Sequence, residues 1–204
     1  MSATPAPKTR PGSVTFAVWL QILLALFLLA GTAVSFLYGP DAADAADAAL
    51  EAQGYAVTDL PEGTSFETGT GSLAFNVVIA LGLIVLALLN GAGKRPARVI
   101  TWIVQPIILV CTLAGLAFTL FLSQTLTYLF ESSGDETLED LDIEAVVQAT
   151  VDAYPAWTDI VSYGSLALGL LGSLLVIILL AVPSANAYFR KEEPEKFIPG
   201  APAV

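Results

Sequence analysis

Four stretches of this chain run without a single charged residue: 11–40, 68–93, 99–130 and 160–189. A helix needs about 20 apolar residues to cross a hydrocarbon layer ~30 Å thick, so each stretch is long enough to span. In lipid, only helices or closed barrels satisfy their backbone polar groups. The runs are continuously apolar rather than alternating, which excludes a barrel. With 55% hydrophobic and 13% charged residues over 204 positions, the chain lies outside the range of an ordinary soluble domain. The fold class is all-α: a four-helix transmembrane bundle.

Charge sets the orientation. Lys8 and Arg10 precede the first run, Lys94, Arg95 and Arg98 separate the second from the third, and Arg190, Lys191 and Lys196 follow the fourth. The connections 39–71 and 131–160 hold no Lys or Arg but carry sixteen of the nineteen acidic residues. Basic residues near span ends are retained in the cytoplasm. The reading is a multi-pass membrane protein with both termini cytoplasmic and with lipid as its first partner. The net charge of -11 is thus local to the outer loops, and no basic patch supports nucleic-acid binding.

The boundaries follow. Residues 1–13 are a Pro-rich cytoplasmic tail expected to be disordered. The membrane domain covers 14–182, with spans at about 14–38, 72–90, 99–122 and 160–182, outer loops at 39–71 and 123–159, and a cytoplasmic tail at 183–204. The apolar stretch 14–37 exceeds the ~7–15 residues of a signal-peptide core, so it reads as a retained anchor.

Gly39-Pro40 is read as the start of a separate short outer helix over 41–53, ended by Gly54. At about 100° per residue, its Asp41, Asp44, Asp47 and Glu51 share one face. Pro106 is expected to bend the third span. That run is 32 residues, ~48 Å as helix, so its end from Ser123 should protrude or tilt. Leu138, Leu141, Val146 and Val151 recur at helical spacing and predict an amphipathic helix over 137–153, ended by Pro155. Trp19, Trp102, Tyr188 and Phe189 mark the inner interface, and Tyr38, Tyr128, Trp157 and Tyr163 the outer one.

The halves look alike. Arg10-Pro11 recurs as Arg95-Pro96, Leu29-Ala30-Gly31 as Leu113-Ala114-Gly115, and Gly71-Ser72-Leu73-Ala74 as Gly164-Ser165-Leu166-Ala167. The expectation is a pseudo-two-fold duplication about an axis along the membrane normal, each unit being span, acidic outer helix and span.

The chemistry-bearing residues are few. The spans contain no ionisable side chain beyond Cys111 and interfacial tyrosines, whereas ion-coupled transporters need intramembrane charges. There is no histidine, which removes His-based acid–base catalysis and most zinc or haem sites. One cysteine forms no internal disulfide and reads as a small packed side chain. No catalytic constellation, cofactor site or metal site is read, and the chain is not expected to be an enzyme.

Gln21, Gln105, Asn76 and Asn90 read as interhelical hydrogen-bonding residues, with Gln21 and Gln105 at similar depth. Gly164, Gly169 and Gly172 on span four, with Gly82 and Gly115, predict close helix packing. Asp41, Asp44, Asp47, Glu51, Glu139, Asp140, Asp142 and Glu144 form the outer surface for a membrane-protein partner or for cations. They lack the ligand spacing and turn glycine of a calcium loop.

The segments 10–21 (RPGSVTFAVWLQ), 95–102 (RPARVITW) and 184–190 (SANAYFR) together resemble small four-span integral membrane proteins of actinobacteria. The resemblance implies a bacterial plasma membrane and carries no activity and no functional residues. The resulting expectation is a non-catalytic accessory, scaffold or regulatory subunit acting through acidic extracytoplasmic loops. The alternative is a small, homo-oligomeric transporter or channel component with a cation-attracting mouth.

Overall fold

The computed structural model describes residues 9–60, 64–132 and 141–190, without the side chains of 129–132. Glu139, Asp140 and the tails 1–8 and 191–204 lie outside the described residues. The described chain is helical, and four of its helices are long and apolar enough to cross a membrane.

Helix α1, Gly12–Glu51, is the axis of the molecule. Its 40 residues reach ~60 Å, about twice the hydrocarbon thickness. The separate helix expected after Gly39-Pro40 does not form, because α1 continues straight through Pro40. A proline inside a helix removes one hydrogen bond and crowds the preceding turn, at a cost of ~3 kcal/mol. Here the following residues are alanine-rich, the best helix formers. Ala42, Ala43, Ala46 and Leu50 are all buried, so packing holds the extension in line.

Helix α2 spans Thr70–Gly91, and α3 spans Arg95–Leu120. The tight turn between them closes on Gly93, whose positive φ of 71° terminates α2 with Lys94 N–H donating to the Leu89 carbonyl at 3.0 Å. Helix α3 begins a turn before the expected Val99 because Pro96 suits a first helical turn. It passes through Pro106 without a break. The chain breaks instead at Phe121, and α4, Leu122–Ser132, packs against the next helix.

That next helix, α5, spans Ile143–Asp152. Asp142 caps it, its carboxylate accepting from Ala145 N–H at 3.0 Å, and residues 137–140 of the helix expected over 137–153 lie outside the described residues. Helix α6, Thr158–Ala181, completes the bundle. Its middle, Leu168–Gly172, is a π-helical turn, a device that re-aims side chains inside a helix. Val182, extended as a residue before proline must be, separates it from α7, Pro183–Phe189.

The core forms three apolar layers. At the basic end, Val14, Ala17 and Val18 pack with Ala87, Val176, Leu180, Ala185 and Phe189. In the middle, Leu24, Ala25, Ala80 and Leu83 meet Leu28, Val104, Ile108 and Leu168. At the acidic end, Ala46, Leu50, Leu60, Ile143 and Val146 make a separate lobe that takes in Phe66 and Leu126. The outward faces of the spans carry exposed Phe36, Leu81, Val110, Leu113, Phe118 and Leu171, which suits a lipid environment.

Of the glycines expected to serve close packing, only part do so. A Cβ on Gly164 would collide with the Phe27 ring, and one on Gly169 with Thr112, so α6 approaches α1 and α3 closely there. Gly82 and Gly115 face open space. They lie on the outward side of α2 and α3, where no helix covers them.

Candidate functional site

Two features gather the polar residues of the chain: a buried layer among the spans and an acidic lobe at one end.

The buried layer lies between the basic-end and middle apolar layers. On α1, Gln21 falls between Val18 of the first and Leu24 of the second. On α6, Ser173 falls between Leu168 and Val176. Thr101 and Gln105, one turn apart, share a face of α3, and Asn90 comes from the last turn of α2. All five side chains are fully buried. Asn90 Nδ2 donates to Gln21 Oε1 at 3.1 Å and to Thr101 Oγ1 at 2.8 Å, while Gln21 Nε2 reaches Thr101 Oγ1 at 3.5 Å. Three spans are thereby tied at one depth, each bond contributing ~0.6–1.7 kcal/mol in a membrane.

Gln105 shares the layer with Gln21, yet both its amide atoms lack a partner, as do Asn90 Oδ1 and Ser173 Oγ. Asn76 lies apart, exposed on α2 and without a side-chain hydrogen bond to the described residues. The sequence does not single out Thr101 or Ser173 as members of a polar layer; Ser173 reads there as a small packing residue beside Gly172. Lone hydroxyls in apolar runs are common, and only the helix rotation brings these two inward.

The basic end is closed by α7, which the sequence suggested only as a tail. Tyr188 Oη donates to the Gly91 carbonyl at 2.8 Å and the ring covers Gly93. Arg98 donates to the Asn186 side-chain oxygen and lies 4.5 Å from the Trp102 ring centroid and 5.3 Å from that of Phe189. Both distances fall within the range of a cation–π contact. Phe189 itself is buried in the first apolar layer.

At the acidic end, Asp41, Asp44 and Glu51 are exposed on the extension of α1 and Asp47 is half-buried. Asp142 and Glu144 are exposed at the start of α5. Gln53 joins the two elements through paired hydrogen bonds to Asp142. Among the described residues no three His, Cys, Asp or Glu side chains are arranged to hold a metal ion. The carboxylates therefore form a dispersed negative surface on a folded support, with no Lys or Arg between residues 11 and 93 or 99 and 189 to offset it.

No model of a known protein family, no curated protein and no solved structure matches this chain.

Proposed function

We propose that this chain is a non-catalytic accessory or scaffold subunit of a bacterial plasma membrane, which docks a partner through its acidic end. The observation that carries this reading is the unbroken α1. Asp41, Asp44 and Glu51 are mounted on a rigid continuation of the first span, while the opposite side of that continuation is buried against α5 and its neighbours. A mobile acidic loop would screen itself with solvent and counter-ions. A fixed single-sign surface steers and orients a partner that carries basic residues.

The interior supports the same reading over a transport role. The charge-free runs 11–40, 68–93, 99–130 and 160–189 hold no ionisable group beyond Cys111 and tyrosines near their ends. The polar layer at Gln21 is separated from the acidic end by Leu24, Ala25, Ala80 and Leu83, packed with Leu28 and Leu168. With the described basic residues Arg10, Lys94, Arg95, Arg98 and Arg190 at the opposite end, the acidic lobe belongs outside the cytoplasm and both termini belong inside. The proposed source, a four-span actinobacterial group, fits this topology through the RPGSVTFAVWLQ, RPARVITW and SANAYFR segments.

We also read the halves as one duplicated unit of span, acidic-end helix and span. In chain order an acidic-end helix follows the first span of each half, the α1 extension in one and α5 in the other, although α3 breaks at Phe121 where α1 does not. Superposition of residues 14–91 on 99–182 tests this: a close fit supports duplication, and a poor one ends it.

The docking reading is tested by placing a photo-crosslinking amino acid at Asp44 and, separately, at lipid-facing Leu113 of the full chain in its membrane. A discrete protein adduct from position 44, absent from 113, is the expected outcome. Adducts to lipid alone at both positions would overturn the reading.

A further inference from the structure

Between α1, α6 and the end of α5, with Asn76 of α2 at its side and Asp152 and Asp159 exposed at its rim, lies a cleft of about 910 Å³. Its walls mix apolar side chains such as Leu28 and Val161 with hydroxyls, Asn76 and the carboxylates of Asp152 and Asp159. A second cavity of about 630 Å³ adjoins it across Thr32 and Ser35 of α1, and is lined mainly by apolar groups including Leu29, Phe36, Leu73 and Val77. One compartment is polar and the other oily, and they share a wall. Sites between helices of a bundle with volumes of ~300–1,000 Å³ are typical of small-ligand binding.

The hydrogen bonds around the polar compartment specify its taste. Thr32 directs its proton to the Leu28 carbonyl, Thr158 to Pro155, Ser162 to Thr158 and Ser165 to Phe27. Each of these oxygens is then left with lone pairs and no free proton. Asp159 offers a carboxylate, and Asp152 keeps one oxygen free after accepting from Gln148. Ser35, Tyr154 and Asn76 add groups that can donate or accept. No Lys or Arg exists at this end of the sequence to receive a phosphate, sulfate or carboxylate. The positive end of α6 is already answered by Asp159 in its first turn.

An acceptor-rich, negatively charged compartment beside an apolar one matches an amphiphile with an ammonium head, which has donors and no acceptor. We infer that the paired cavities bind such an amphiphile, its head between Asp152 and Asp159 and its chain along α1 and α2 among Leu29, Phe36 and Val77. The ammonium is shared by an aminophospholipid, whose phosphate would then face solvent outside the compartment, and by a free alkylammonium, so both sources are tested. The site is independent of the partner-docking reading, since it uses neither the α1 extension nor Glu144.

The test uses the full chain in a neutral maltoside detergent, with Trp19→Phe and Trp102→Phe leaving Trp157 as the reporter at the cleft's edge. Dodecylammonium is expected to change Trp157 fluorescence saturably, and dodecyl sulfate at equal concentration is not. The pair Asp152→Asn and Asp159→Asn should raise half-saturation about tenfold, with an unchanged circular dichroism spectrum, while Glu144→Gln leaves it alone. Native mass spectrometry from nanodiscs then separates the sources. Retained phosphatidylethanolamine identifies a lipid head, and none retained despite dodecylammonium saturation assigns the site to a free amphiphile. An equal response to sulfate, unchanged half-saturation in the double variant, or preferential retention of phosphatidylglycerol would overturn the proposal.

Discussion

The side chain of Gln53 pairs with both backbone groups of Asp142: the Asp142 N–H donates to Oε1 at 2.7 Å, and Nε2 donates to the Asp142 carbonyl at 3.2 Å. The two residues are 89 positions apart. Asp142 also caps α5, so a single carboxamide fastens the end of α1 to the start of α5. The acidic lobe is held at this seam as well as by its apolar cluster.

Replacing Gln53 by Ala leaves both Asp142 groups dependent on water and should destabilise the lobe by about 1–2 kcal/mol. The effect should be local. Hydrogen exchange is expected to quicken across α5 and the last turns of α1, with α2 and α3 unchanged. Uniform protection in the variant would show that the seam carries no weight.

The buried layer gives two substitutions of opposite character. Asn90→Leu leaves Gln21 Oε1 without a donor and Thr101 Oγ1 with only the long bond from Gln21 Nε2, and should cost about 1–3 kcal/mol. Gln105→Leu removes two amide atoms that have no partner, so it should be neutral or stabilising. Unfolding in bicelles compares them directly, and equal losses from both would contradict the assignment of bonded and orphaned groups.

Gly164 and Phe27 should couple. Gly164→Ala pushes a methyl group into the Phe27 ring and is expected to cost about 1–3 kcal/mol. Phe27→Ala alone also destabilises, but the double variant should be less affected than the sum. A double-mutant cycle measures this, and strict additivity would mean that the helices do not approach closely there.

The tail helix should act as a plug. Phe189→Ala opens the first apolar layer and is expected to cost about 3–5 kcal/mol, whereas Tyr188→Phe removes only one hydrogen bond, worth about 0.5–1.5 kcal/mol. Thermal unfolding in detergent ranks the two. A Phe189→Ala effect no larger than that of Tyr188→Phe would mean that α7 is not packed against the bundle.

What the sequence revealed and concealed divides by the range of the physics involved. Hydropathy is summed over whole helices, so the four apolar helices were legible. Pro40 was misread because local propensity marks a proline as a boundary, while the burial of Ala42, Ala46 and Leu50 that overrides it is tertiary. Gly82 and Gly115 looked like packing residues and face outward, since composition does not fix helix rotation. Gln21 and Asn90 stood out as amides in apolar runs and do bond, yet Thr101, which both of them contact, was invisible among other threonines. The docking of Phe189 was hidden because an aromatic at a span's end has an equally good explanation at the lipid interface.

The central claim is that the acidic end docks a partner, and its most direct test is the mass of the solubilised complex. The full chain, affinity-tagged and extracted with its surrounding lipid, is weighed beside a variant carrying Asp41→Asn, Asp44→Asn and Asp47→Asn. A second protein in fixed stoichiometry with the wild type, lost from the variant at moderate salt, is the expected result. A bare monomer or homo-oligomer of identical mass in both would contradict it.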